Sequence, residues 1–132
     1  MADKTRYNYG GDYNRFKLGT FSIATTTASG TQAITGVGFT PASCIFIAVQ
    51  HGVIGELSWG MDDGTNECVY DYYNTTADTY ETSSTASIFD NHSSGNTYAG
   101  VVNSFDSDGF TIGWTKTGSP TGSLVVLYLA RL

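Results

Sequence analysis

The amino-acid sequence predicts an all-β fold, a single antiparallel β-sandwich or jelly roll of about eight strands. Three observations predict it. Short apolar runs, alternating or continuous, recur between Gly, Asp, Asn, Ser and Thr turns at spacings of roughly eight to twelve residues, and no stretch keeps a helical period. Charged residues make up 14% of the chain where about 25% is usual, and Gly, Ser, Thr, Asn and Tyr fill the difference, a composition that suits strands with a hydroxyl-rich surface. The chain also ends in its most hydrophobic segment, SLVVLYLARL, so the last strand must complete a core that earlier strands began.

Taken in order, residues 1–18 mix Tyr7, Tyr9, Tyr13 and Phe16 with polar residues and show no period. They read as an extended N-terminal arm preceding a domain at 19–132. Such an arm either folds back on its own domain or orders on a partner; aromatic anchors on a basic segment favour the partner. Phe21 and Ile23 alternate with Thr20, Ser22 and Ala24 and give a first strand from about 19 to 26. A turn at 27–30 leads to a short strand at 31–35, and the loop at 36–41 ends at Pro41, which cannot donate to a ladder. SCIFIAVQ (43–50) reads as a strand buried on both faces. Leu57, Trp59 and Met61 alternate with Glu56, Ser58 and Gly60, a strand with one wet face. Asp62-Asp63-Gly64 turns the chain into ECVYDYY (67–73), where Tyr70 and Tyr72 share a face with Cys68. Residues 74–85 read as a long polar loop, with a weak strand near 87–89. A turn at 91–96 and a strand from Tyr98 to Phe105 precede the closing hairpin. In that hairpin Phe110, Ile112 and Trp114 alternate with polar or small residues, and Leu124 to Leu129 reads as buried on both faces.

At 132 residues the chain suits one domain, burying roughly two-thirds of its unfolded surface without metal or disulfide support. Its charge is uneven. Residues 1–18 carry four cations against two acids, net +2, and the remainder two cations against ten acids, net −8. An acidic body repels phosphate and argues against nucleic acid as a partner. No apolar run approaches the roughly 20 residues of a membrane helix, and MADKTRYNYG lacks the apolar core of a secretory signal. Cys44 and Cys68 show no zinc-site spacing and are expected as buried free thiols, with a disulfide as the alternative.

Catalytic chemistry finds no motif. His51 and His92 stand in no metalloprotease or nucleophile pattern, and neither GxSxG nor a phosphate-binding loop occurs. Asp62, Asp63, Asn66 and Glu67 could offer oxygens to Ca²⁺, yet Asp-Gly is a hairpin signal, and a structural turn is expected there and at Asp106–Asp108. No metal, cofactor or catalytic residue is therefore assigned. Two recognition surfaces are: the arm residues Arg6, Tyr7, Tyr9, Tyr13, Arg15 and Phe16, and an aromatic platform of Trp59, Tyr70, Tyr72 and Tyr73.

The blocks GTQAITGVGFTP (30–41), SWGMDDG (58–64), FDSDGFTIGW (105–114) and LYLA (127–130) resemble a recurring module of tailed-phage virion proteins, a small jelly-roll sandwich used as a capsid decoration (cement) protein or fibre-tip domain. The closing strands also resemble the sandwich of H-type lectins, which assemble as trimers, although no matching sugar-binding constellation is present. The resemblance implies a non-enzymatic virion structural protein, made in the host cytoplasm. It would sit on the outer surface of the capsid as a homotrimer, bridging copies of the major capsid protein. The alternative it implies is a carbohydrate-binding fibre-tip adhesin with a glycan partner.

Overall fold

The computed structural model describes residues 15–51, 56–74 and 78–132. Ten strands occur among them and no helix: β1 (Phe16–Ala24), β2 (Gly30–Thr35), β3 (Ser43–His51), β4 (Leu57–Asp62), β5 (Glu67–Asn74), β6 (Asp78–Ser83), β7 (Ile88–Ser93), β8 (Asn96–Asp106), β9 (Gly109–Thr117) and β10 (Ser123–Arg131). They form two antiparallel sheets, one of six strands in the order β1-β10-β3-β4-β5-β6 and one of four in the order β2-β9-β8-β7. The fold is a β-sandwich, as the sequence predicts. The first and last strands pair along their full length, Phe16 opposite Arg131 through Ala24 opposite Ser123. The chain thus closes by zipping its two ends together in the larger sheet.

The core lies between the sheets and is largely aromatic. Phe110 meets Phe46 edge-on at 5.7 Å and Tyr128 at 5.1 Å, and Tyr98 stacks on Trp114 at 5.1 Å. Such pairs contribute about 0.5–1.5 kcal/mol each beyond their burial. Phe110, Ile112 and Trp114 all point inward from β9, which is the alternation expected of that strand.

Carboxylates tie turns to the sheets. Asp108, in the β8–β9 turn, accepts the amides of Gly36 (3.0 Å) and Gly38 (2.6 Å), and its own carbonyl accepts the Val37 amide. Gly36 and Gly38 have φ of 83° and 85°, which glycine adopts without strain. Asp62 accepts the Gly64 amide with one oxygen and the Val102 amide, in the opposite sheet, with the other. Asp63 accepts the amides of Thr65 and Asn66. The acidic turn at 62–67 is thereby built as a hairpin turn, with its oxygens engaged by backbone donors.

Four expectations need correction. β1 begins at Phe16, so residues 16–18 belong to the first strand of the sandwich. Part of the expected loop at 74–85 is strand β6. Cys44 is buried but Cys68 is exposed, and both are free; burial, and then the charge of Asp62, push the Cys44 thiol up to about 12. Finally, β3 and β10 are buried on one face only. Ile45, Ile47 and Val49 of β3 and Val125 and Leu127 of β10 are all exposed.

Candidate functional site: the outer face of the six-stranded sheet

Side chains on one face of a sheet form rows across the strands, and three neighbouring rows on the outer side of the six-stranded sheet are uncharged, bordered at one end by the row Phe16–Arg131–Ser43. The first runs Leu18–Leu129–Ile45–Met61–Cys68. The second runs Thr20–Leu127–Ile47–Trp59–Tyr70–Thr82. The third runs Ser22–Val125–Val49–Leu57–Tyr72–Tyr80. No charged side chain stands in any of them, and aliphatic or aromatic groups dominate. Trp59, at the centre, is 59% exposed, Met61 48%, Leu127 48% and Ile47 42%. Scattered apolar residues on a surface need no explanation, but a contiguous face of them does.

β4 shows how the chain arranges this. Its inward positions are Ser58, Gly60 and Asp62, all buried, and its outward positions are Leu57, Trp59 and Met61, all exposed. The usual assignment of a one-face-wet strand is inverted, because the inner side of β4 lies against backbone. Ser58 Oγ accepts the Phe89 amide at 3.0 Å, and a Cβ on Gly60 would collide with the Ser87 carbonyl. With its inner face given to small and polar groups, β4 carries its large apolar side chains outside.

Charge is confined to the margins. Arg131 stands outward on β10, and Asp63 and Glu67 lie by the β4–β5 turn at the same end of the sheet, while Lys17 and Glu81 pair with the inward-facing Ala130 and Asp71 and so belong to the sheet's other side. At one end of the face a hollow of about 450 Å³ is floored by Ile45, Met61, Cys68 and Leu129, with Arg131 on one side and Asp63 and Glu67 on the other. A second hollow of about 350 Å³ lies between Trp59, Tyr70 and Thr82. Tyr70 and Tyr80 stack, with ring centroids 6.1 Å apart and planes 15° from parallel.

Of the residues singled out in the sequence, the fold brings Trp59, Tyr70 and Tyr72 onto this face in adjacent rows. Tyr73, in β5, pairs in register with Thr79 of β6. Arg15 donates to the Gly38 carbonyl at 3.0 Å and lies over the Phe39 ring at 5.2 Å, so it binds its own domain. Phe16, 68% exposed, extends the apolar face at its β1 corner. Arg6, Tyr7, Tyr9 and Tyr13 lie outside the described residues. Sequence reasoning missed Ile45, Ile47, Val49, Val125 and Leu127 as surface residues. The signal was present: both runs are apolar at every position, which a strand with a watered face does not require.

A second polar site lies inside. Glu56, Asp71 and Asp90 are all buried, and as carboxylates both oxygens of Glu56, Oδ2 of Asp71 and Oδ1 of Asp90 have no hydrogen-bond donor among the described residues. Burial, then the bond to and charge of Asp90, then the charge of Asp71, push Glu56 up to about 9. Burial first, then Asp90 and Glu81, push Asp71 up to about 7, against the opposing bond from the Asn91 amide. Protonated Glu56 can donate to Asp90, whose own pKa is raised by burial and held back by that bond and by His92. Gln50 Nε2 donates to the Thr121 carbonyl at 2.7 Å, and His92 Nε2 meets Thr121 Oγ1 at 3.1 Å. Among the described residues, no group of three His, Cys, Asp or Glu side chains is arranged to hold a metal ion.

Comparison with known proteins finds no family model, curated protein or solved structure that this chain matches.

Proposed function

We propose that this chain is a non-enzymatic structural protein of a phage virion, a decoration protein on the outer surface of the capsid that stiffens the shell by bridging copies of the major capsid protein as a symmetric homo-oligomer, a homotrimer on the sequence resemblance. The observation that carries the reading is the three uncharged rows on the outer face of the six-stranded sheet, a surface suited to lasting contact with protein. A shell under internal pressure fails where its subunits part, and a multivalent clamp raises that barrier by converting later contacts into intramolecular ones. Quantitative mass spectrometry of purified virions tests the proposal by counting this chain against the major capsid protein. The expected result is a simple integer ratio, with shells stripped of the protein rupturing at lower temperature and recovering on its return. Absence from the particle overturns it.

The stacked Tyr70 and Tyr80 beside Trp59 favour a second reading, a carbohydrate-binding fibre-tip module, because flat exposed rings serve sugars as well as proteins. A few copies per particle, together with saccharide-dependent tryptophan fluorescence, would select it.

A further inference from the structure

We propose that another copy of this chain covers the outer face of the six-stranded sheet, with the β1 edge of one copy against the β6 edge of the next. The inference rests on the structural reading above and names the occupant of that face.

Area argues first. Five strand intervals of about 4.8 Å and three rows about 6.8 Å apart, with their side chains, cover on the order of 600 Å². This is at the upper end of the roughly 300–600 Å² that the largest patch of a monomer exposes, and Phe16 and the rims carry it toward the ~800 Å² per partner of a standard interface.

Charge argues second. The molecule carries a net charge of −6, so two copies repel unless the contact surface is neutral, and the three rows hold no charged group. The margins then complement each other. Arg131, on β10, stands on one side of the hollow at the end of the face, and Asp63 and Glu67, beside β4 and β5, on the other. A two-fold axis parallel to the strands lays the basic side of one sheet over the acidic side of its mate, and a three-fold ring sets the same sides next to each other. Both symmetries use the same face and the same edge pairing. A nucleic acid or a strongly basic partner would find no charge to meet across the centre.

Cys68 supplies a reporter, since it stands in the first row and is exposed in the isolated chain while Cys44 is buried. The test is native mass spectrometry and sedimentation of the full chain, with thiol labelling in parallel. The expected mass is two or three times 14.1 kDa, with Cys68 protected from the reagent. Ile47→Lys and Trp59→Glu change side chains that face water in the isolated chain, so each should keep its circular dichroism, sediment as a monomer and expose Cys68 to rapid labelling. Arg131→Glu should weaken association at least tenfold, and Glu67→Arg in the same chain should recover part of it. A monomeric parent overturns the proposal, as does an oligomer that survives Ile47→Lys with Cys68 labelled at the parent rate. A monomer whose tryptophan fluorescence responds to saccharide overturns it in favour of a sugar platform. Absence from virions by an oligomeric protein overturns the capsid reading instead and leaves the interface standing.

Discussion

Asp62 binds two backbone amides with a single carboxylate, one in the turn that follows it and one in the opposite sheet. Its Oδ1 closes the β4–β5 turn on Gly64 at 2.8 Å, and its Oδ2 takes the Val102 amide at 2.9 Å, where β8 shifts register against β9. A bulge frees an amide from the ladder, and a buried free amide is costly. Asp62 meets that need, and with 2% exposure it has little access to water. Asp62→Ala leaves the Val102 amide without its partner, so we expect a loss of about 1–3 kcal/mol in denaturant unfolding, the usual cost of an unmade buried bond. Asp63→Ala, which removes bonds only from exposed turn amides, should cost clearly less. If the two variants unfold at the same denaturant concentration, Asp62 is not the clasp between the sheets.

At the scale of the strand, Gly60 fixes how β4 can be used. Its missing side chain lets the Ser87 backbone cross the inner face of the sheet, and a Cβ there would meet the Ser87 carbonyl and the Cys68 carbonyl. Gly60→Ala must push these backbones apart, and we expect a destabilisation of about 1–3 kcal/mol, the range for overpacking a closed site, read as a lowered midpoint in thermal unfolding. An unchanged midpoint would show that the sheets have slack there. The same strand shows what the sequence made legible. The period-2 pattern located β4 and placed the Cys68, Tyr70 and Tyr72 positions of β5 on one face, because alternation follows from strand geometry alone. It could not say which face of β4 was inward. That depended on Ser87 and Phe89, nearly thirty residues away in sequence. For β3 and β10 the uniformly apolar runs read as burial on both faces, and the smaller sheet supplies only one of them. A run of apolar residues records that both faces avoid water without recording whether the cover comes from the same chain or from another. The interior carboxylates were illegible for a related reason: Glu56, Asp71 and Asp90 sit in separate elements that only the folded topology brings together.

For the molecule as a whole, those carboxylates set how stability responds to pH. Glu56 precedes β4, Asp71 lies on β5 and Asp90 on β7, with Glu81 of β6, His92 of β7 and the neutral Gln50 of β3 as the polar neighbours the structure gives them. Glu56 is raised from 4.5 to about 9 and Asp71 from 3.8 to about 7, both chiefly by burial. Acids raised in this way bind more protons in the native state than in the unfolded chain. Stability is therefore fully present below the unfolded values, declines as pH rises between the unfolded and native values, and is flat above the latter. The decline amounts to at most about 1.4 kcal/mol per pH unit for each titrating group. Asp63 acts in the opposite sense: its pKa is lowered by bonds from Asn66 and Thr65, so its contribution is lost only as pH falls through the ordinary carboxylate range and below. Together these place the stability maximum at roughly pH 4, with the midpoint of thermal unfolding falling steadily toward roughly pH 9. Glu56→Gln holds that position neutral at every pH and keeps a donor for Asp90. The variant should unfold several degrees higher than the parent at alkaline pH and differ little from it near pH 4, which flattens the profile. Equal destabilisation at both ends would mean that the site depends on the shape of Glu56 and not on its proton. Because the cluster lies between the sheets and not on the outer face, a pH-dependent midpoint should persist in the monomeric Ile47→Lys variant, separating the stability of the fold from that of the assembly.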